Sequence, residues 1–425
     1  MTKQISVWLT AVLIIFACVI TFQLTVVFGS GFVREEPIGT VPTEFTTAPD
    51  AEPEPEPLTP AEERSEQLHK VLDEVLGLYE NYYVGELDTE ELADGLAAGL
   101  AAYSGDKYGA YHDLEELEEL MTDYSGEFAG IGVSVLLNTE YYAIEVITVM
   151  PNSPALEADL RPGDLIVGVA GEDVASLGYN EAVNRIRGEI GTDVTVTVAR
   201  GADYADVFDV TMTRRLVEEQ TVTYETIEMP GLVRPIALVR ISSFDEKTPA
   251  QFADALSQGQ AERVHGYIFD LRDNGGGELN SIVSILDMLL PEGPIIRVQY
   301  KDGTEEVHTS DARELDEPMV VLCNERTASA AELFVSALRD YQKGVIVGTN
   351  TYGKGTVQSI IPLKSGAGMR ISIAMYLPPF GDNFEGEGVA PHVEVELAEE
   401  YRNLNLYKVA HENDAQLQAA LDLYK

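Results

Sequence analysis

The chain is poor in the residues that build disulfides, metal centres and nucleic-acid interfaces. Its 425 residues include two cysteines, six histidines and one tryptophan, and only 28 lysines and arginines stand against 72 acidic residues. A net charge of -44 argues against nucleic-acid binding, because cationic side chains supply most of that affinity. Cys18 lies in an N-terminal apolar run and Cys323 in a predicted buried strand, so we expect neither a disulfide nor a metal site from them.

The sequence also lacks the usual motifs of several hydrolase classes. It contains no G-x-S-x-G, no H-E-x-x-H and no C-x-x-C, which argues against a Ser-His-Asp triad and against metal-dependent hydrolysis. A phosphate-binding loop is the nearest alternative, because residues 348–354 almost match G-x-x-x-x-G-K-[ST]. Gly355 replaces the Mg²⁺-binding hydroxyl of that motif, and residues 356–360 alternate like a strand instead of opening a helix. We therefore expect no cofactor.

The N-terminal segment combines an apolar run with an acidic, proline-rich stretch. Residues 5–28 carry no charge and are long enough to cross a bilayer. Lys3 precedes them and acidic residues follow, which predicts a single-pass protein of the cell membrane with its N-terminus in the cytoplasm. The alternative, a cleaved signal peptide, is disfavoured by the length and by the lack of an A-x-A site. We assign residues 1–28 to a cytoplasmic tip and anchor, and residues 29–66, with alternating Glu-Pro, to a linker.

The remaining chain divides by its hydrophobic pattern into four further parts. Residues 67–125 are predicted as a helical region, since Leu68, Val71, Leu72 and Val75 recur at helical spacing. Residues 126–215 read as short strands with one helix. From 216 to 398, strands and helices alternate, which indicates an α/β core, and 399–425 form a helical tail.

The stretch around residues 319–355 holds the candidate catalytic pair. Met319–Cys323 is a predicted buried strand, and Ser329 falls where a helix begins, next to unpaired backbone N–H groups that suit an oxyanion. A second strand, Val345–Val347, leads to a glycine-flanked Lys354. A serine hydroxyl needs a base, and an amine of lowered pKa can serve as one. Taken singly, Ser329 is more typical of a helix cap, and Lys354 of an exposed turn, than of a catalytic pair.

Two motifs in this stretch resemble a known family. T-A-S-A-A-E at 327–332 and G-K-G-T-V-Q at 353–358 are similar to the carboxyl-terminal processing, or tail-specific, serine peptidases. The resemblance implies that Ser329 is the nucleophile, Lys354 its base and Gln358 the residue that orients the base, with an acyl-enzyme as intermediate.

The glycine-rich run D-L-R-D-N-G-G-G at 270–277 resembles the family's D-L-R-x-N-P-G-G. The resemblance implies that the N–H groups of Gly276 and Ala330 form the oxyanion hole, while Gly275 replaces a proline. Near the C-terminus, His392 stands where the family has aspartate.

Residues 126–215 resemble a PDZ domain, through G-I-G-V at 130–133 together with S-P-A at 153–155 and R-P-G-D at 161–164. The resemblance implies that Gly130, Ile131, Gly132 and Val133 bind the terminal carboxylate of a protein or peptide tail. The tail would add as a strand beside Val133, and a helix predicted at residues 180–187 would form one wall of the groove.

The resemblance covers roughly residues 67–425 and implies a multidomain α+β and α/β protein. Its expected parts are an N-terminal transmembrane helix, a helical segment that forms a homodimer surface in relatives, and a PDZ domain before a ClpP/crotonase-like α/β peptidase core. The alternative is a catalytically inactive, membrane-tethered PDZ scaffold. The retained Ser329, Lys354 and Gln358 argue against it.

Overall fold

The computed structural model describes residues 59–402 and 404–425. The predicted membrane anchor and most of the predicted linker lie outside these residues. None of the helices in the described ranges combines the length and the apolar character that a membrane span requires.

The described chain forms two units, divided after Glu86. The first unit contains helix α1, Pro60–Tyr82. This helix begins inside the segment 29–66 predicted as linker, because Thr59 and Glu62 cap each other. The N–H of Glu62 donates to Thr59 Oγ1 over 3.3 Å, and the N–H of Thr59 donates to Glu62 Oε2 over 2.7 Å.

The second unit opens with two capped helices and a short strand: α2 Thr89–Tyr103, β1 Ala110–His112 and α3 Leu114–Ser125. Asp88 and Asp113 cap the two helices by accepting hydrogen bonds from first-turn N–H groups. The turn between α2 and β1 contacts the C-terminal half of the unit.

A small β-rich domain follows. Its elements are β2 Glu127–Gly130, β3 Val133–Asn138, β4 Ala143–Val149, α4 Pro154–Glu157, β5 Leu165–Val169, β6 Glu172–Asp173, α5 Val174–Leu177, α6 Tyr179–Ile186, β7 Asp193–Arg200, β8 Asp206–Thr213 and β9 Arg215–Glu218. The strand order of its sheet is β3-β4-β5-β7-β8, with β6 on β5. The entering strand β2 pairs antiparallel with the leaving strand β9, and Gly130 lies opposite Arg215.

The α/β core completes the unit. Its elements are β10 Val222–Ile227, β11 Ile236–Ile241, α7 Thr248–Glu262, β12 Tyr267–Asp270, α8 Leu279–Asp287, β13 Gly293–Tyr300, β14 Glu305–Ser310, β15 Met319–Cys323, α9 Ala330–Asp340, β16 Gly344–Gly348, β17 Thr356–Pro362, β18 Gly368–Leu377, β19 Val393–Glu394 and α10 Ala415–Asp422. The main sheet has the order β10-β11-β12-β15-β16-β19, parallel except for the β10–β11 pair. A second sheet joins β1, β18, β13 and β14, with β17 on β18.

The central strands are buried on both faces, as a parallel sheet covered by helices requires. In β15, Met319, Val321 and Cys323 pack with α7, α8 and α9, while Val320 and Leu322 pack with α10 on the opposite face. The carboxyl ends of β11, β12, β15 and β16 therefore meet at one edge. The expected succession of a helical segment, a β-rich domain and an α/β core is confirmed.

Candidate active site

Ser329 lies at the carboxyl edge of the main sheet, between β15 and α9. Its backbone has φ 57° and ψ -120°, a conformation that is costly for a residue with a Cβ. The turn is fixed because Thr327 Oγ1 donates to the carbonyl of Leu271 over 2.8 Å and the N–H of Ala328 donates to the carbonyl of Asn274 over 2.9 Å. The first N–H of α9, on Ala330, has no acceptor among the described residues. It is thus available to bind a developing oxyanion.

The glycine loop that follows β12 lies directly against Ser329. Gly276 has φ 104°, and a Cβ built on it would come within 2.8 Å of the Ser329 Cβ, so only glycine fits there. Its N–H donates to Asn274 Oδ1 over 2.8 Å, and Asn274 Nδ2 donates to the carbonyl of Ile241 over 2.9 Å. In this structure the N–H of Gly276 is therefore engaged by a neighbouring side chain.

Glu332, in the first turn of α9, connects the serine turn to the lysine loop. Its carboxylate is fully buried and accepts four hydrogen bonds. Oε2 accepts from the N–H of Ser329 (2.9 Å) and of Lys354 (2.8 Å), while Oε1 accepts from Thr351 Oγ1 (2.5 Å) and the N–H of Gly353 (2.7 Å). One carboxylate oxygen thus brings the backbones of the predicted nucleophile and base together.

The side chain of Lys354 is half-buried, and its amine lies 5.0 Å from the ring centroid of Tyr108. Burial, and next the positive charge of Arg370, lower the pKa of Lys354 from its ordinary value, while Glu385 and Glu332 oppose the shift. Among the described residues, no hydrogen bond joins Lys354 Nζ to Ser329 Oγ, and Nζ contacts the Tyr108 ring instead. Their side chains therefore share an edge of the sheet without being joined.

Gln358, on β17, is turned away from the lysine in this structure. Its Nε2 donates to the carbonyl of Thr356 (3.0 Å), to Thr356 Oγ1 (2.8 Å) and to Ser372 Oγ (3.4 Å). The three predicted catalytic residues thus occupy one region, but the hydrogen bonds of a working triad are not formed.

A buried charge network supports the glycine loop from the side of α10. Arg272 is fully enclosed and donates to both oxygens of Asp270 (2.8 and 2.7 Å) and of Asp414 (2.9 and 2.8 Å). Although burial opposes it, the Arg272 guanidinium lowers the pKa of Asp270. The residue before α10 is thereby tied to the loop that holds Gly276.

The β-rich domain presents a groove that faces the core. Gly130, Ile131, Gly132 and Val133 line a cavity of about 430 Å³ whose other walls include α6 and core residues such as Arg240. The carbonyls of Ile131 and Gly132 are bonded to the N–H groups of Ala155 and Met150, whereas their own N–H groups have no acceptor among the described residues. Two free donors at the groove mouth can bind a carboxylate.

Sequence reasoning did not assign roles to several residues of the site. Thr351 carries no motif signal, and Glu385 lies outside the quoted motifs. Within the described residues, no group of three or more histidines, cysteines or carboxylates could hold a metal ion.

The β-rich domain and the α/β core each match a known family over part of their length. Residues 145–200 match "PDZ domain", and residues 235–395 match "Peptidase family S41".

Two curated relatives extend the match over most of the chain. The carboxyl-terminal-processing protease of Synechocystis is 34% identical over 73% of this chain and 71% of its own. The carboxy-terminal processing protease CtpA of Bacillus subtilis is 31% identical over 78% and 69%. Among solved structures, a putative S41 protease from Bacteroides fragilis is 19% identical with a TM-score of 0.55, covering 80% of this chain and 92% of that one, which shows the fold. The resemblance inferred from the motifs is confirmed: the chain belongs to the carboxyl-terminal processing serine peptidases of family S41.

Proposed function

We propose that this chain is an endopeptidase that recognises the C-terminal tails of proteins and cleaves them with a Ser329–Lys354 dyad through an acyl-enzyme. The observation that carries the proposal is the shared carboxylate of Glu332, which bonds to the backbones of both residues. The unpaired N–H of Ala330 beside them supplies an oxyanion donor.

The proposed reaction begins when a tail docks in the groove at Gly130–Val133 and its chain extends toward Ser329. Lys354, whose pKa is lowered by burial, loses its proton, moves as the neutral amine onto the hydroxyl of Ser329 and takes the hydroxyl proton. The serine oxygen attacks the scissile carbonyl, and Lys354 then protonates the leaving amine. Gln358, once it leaves Thr356, can hold the amine in place. The same base then takes a proton from water, whose oxygen attacks the ester carbonyl; the bond to Ser329 breaks, the acyl group leaves as a carboxylic acid, and Lys354 returns the proton to the serine oxygen.

The N–H of Ala330 receives the oxyanion, and the N–H of Gly276 becomes a second donor when Asn274 releases it. The loss of one such donor typically lowers kcat about 10²–10³-fold. Asn274 is therefore positioned to control the second half of the oxyanion hole.

Cellular placement is a further part of the proposal. The apolar run at residues 5–28 would hold the protein in the cell membrane as a single pass, with the peptidase outside the cytoplasm, and the helical segment would form a homodimer surface. Both inferences depend on the sequence pattern and on the resemblance.

The test compares the chain without residues 1–58 with three variants, Ser329→Ala, Lys354→Ala and Lys354→Arg. Labelled peptides with free or amidated C-termini report binding and cleavage separately. We expect only the unchanged chain to cleave, with a preference for free tails, and Lys354→Arg to be inactive because a guanidinium stays charged. Turnover by Ser329→Ala or Lys354→Ala would refute the dyad. Binding without cleavage by the unchanged chain would indicate the scaffold instead, and inhibition by a chelator would point to a metal.

A further inference from the structure

The amine of the proposed base rests on an aromatic ring. Lys354 Nζ lies 5.0 Å from the ring centroid of Tyr108, within the range of a cation–π contact. No hydrogen bond holds this amine among the described residues, so the ring is a defined place for it in the structure.

The ring itself is held firmly. Tyr108 Oη donates to Glu385 Oε1 over 3.1 Å, and Glu385 Oε2 accepts the N–H of Gly355, the residue after the lysine, over 2.7 Å. The Tyr108 carbonyl accepts from Arg370 Nε over 3.1 Å, and its N–H donates to Asp106 Oδ1 over 3.0 Å. Both the phenol and the backbone of Tyr108 are thereby fixed to the strands that flank the lysine loop.

The turn that carries Tyr108 also contacts the residues on the other side of the loop. Lys107 Nζ lies 4.9 Å from the Tyr108 ring and 5.0 Å from the ring of Tyr352, two residues before Lys354. Asp106 accepts hydrogen bonds from the N–H (2.7 Å) and Oγ (2.8 Å) of Ser372. Ser372 Oγ is also an acceptor for Gln358, so the turn contacts the partners of both Lys354 and Gln358.

We propose that Tyr108 is a positioning residue for the base: its ring holds the amine of Lys354 in a resting position, from which the amine must move to reach Ser329. The inference rests on the proposed function of Lys354. A cation–π contact favours both the ammonium form of Lys354 and its resting position. A ring of lower electron density therefore holds the amine less often in the resting position and makes the ammonium easier to deprotonate. Both effects increase the reactivity of the amine.

The experiment places phenylalanine and its mono-, di- and trifluoro forms at position 108 of the chain carrying Ser329→Ala. Fluorine withdraws electron density from the ring with little change of shape, so the fold is retained, and Tyr108→Phe is the reference for the series. Labelling of Lys354 by an amine-reactive reagent, followed by mass spectrometry below the ordinary lysine pKa of about 10.4, reports the reactivity of the amine. We expect labelling to rise stepwise, by about two- to thirtyfold over the series, as expected for the loss of a cation–π contact.

The matched control is the same series at Tyr352. Its ring contacts the amine of Lys107, whereas the amine of Lys354 lies over the ring of Tyr108. A flat series at position 108, or an equal rise at both positions, would overturn the proposal. In the chain that keeps Ser329, the fluorinated series should raise kcat and leave KM for tail peptides unchanged, because the turn that carries Tyr108 does not line the groove at Gly130–Val133. A fall in kcat along the series would contradict the resting position.

The two proposals fail separately. Labelling is measured in the chain that carries Ser329→Ala, so its result does not depend on Ser329 being the nucleophile. Full activity of Lys354→Ala would remove the dyad whatever the labelling shows, whereas a flat series with an inactive Lys354→Ala would remove only the role of Tyr108.

Discussion

Replacing Glu332 by glutamine tests whether one buried carboxylate holds the active site together. Each of its oxygens accepts two hydrogen bonds, one pair from Ser329 and Lys354 and the other from Thr351 and Gly353. An amide keeps one acceptor oxygen and presents an NH₂ group in place of the other. With the NH₂ group in place of Oε2, the N–H groups of Ser329 and Lys354 both face a donor; in place of Oε1, the N–H of Gly353 does, while the Thr351 hydroxyl can turn to accept.

The expected loss of stability follows from the hydrogen bonds that the amide cannot accept. A hydrogen bond to a buried charged group contributes about 1.5–3 kcal/mol, and at least one such bond is lost, so Glu332→Gln should lower the free energy of unfolding by at least about 1.5–3 kcal/mol. In the folded fraction, the serine turn and the lysine loop lose their shared acceptor. We expect kcat to fall about 10²-fold with little change in KM, since small displacements of reacting groups have costs of that size.

Urea unfolding followed by circular dichroism measures the stability, and cleavage of tail peptides well below the midpoint measures activity. The matched control is Glu314→Gln, which removes a surface carboxylate 2.7 Å from Lys343 and should cost less than about 1 kcal/mol. A similar small cost for Glu332→Gln, or unchanged kcat, would refute the reasoning.

Three further outcomes are expected. Burial lowers the pKa of Lys354, so the neutral base is available at lower pH than for a free lysine. A plot of log(kcat/KM) against pH should therefore rise through an apparent pKa below 10.5, and a plot that is flat in that range would contradict the role of Lys354 as base. Between the lowered pKa of Lys354 in the folded chain and its ordinary value, the unfolded chain binds more protons at this lysine. The contribution of Lys354 to the free energy of unfolding therefore rises with pH over that range. Asp414→Ala should cost about 3–5 kcal/mol in urea unfolding by leaving the buried Arg272 without one partner, and a cost under about 1 kcal/mol would contradict that. His392→Ala should cost about 1–3 kcal/mol because His392 Nδ1 accepts the N–H of the buried Ile346, whereas His392→Asp should retain stability.

The sequence predicted the parts of the site that depend on local pattern. The apolar run at 319–323 and the α/β alternation correctly indicated a buried sheet, whose carboxyl edge gathers Ser329 and Lys354. Helix bounds were less exact, because the segment 29–66 was predicted to be linker throughout. The first helix begins at Pro60 because of a cap that the proline-rich composition hides.

The details of hydrogen bonding could not be read from the sequence. The orientation of Gln358 toward Thr356 depends on a strand register that brings Ser372 opposite it. The bond from Gly276 to Asn274 depends on the loop's path, and the contact of Tyr108 with Lys354 joins residues far apart in the chain. The assignments of Ser329, Lys354, Gln358, Gly276 and Ala330 to catalysis remain predictions.

The ribbon formed by β2 and β9 makes the β-rich domain a removable insert. Its two ends, Gly130 and Arg215, face each other across an antiparallel pair, where Cα atoms lie about 4.5–5.5 Å apart. A two-residue turn such as Asn-Gly is enough to close such a gap. The β-rich domain can therefore be exchanged at this junction for the corresponding domain of another peptidase, while the α/β core keeps its own sheet and helices.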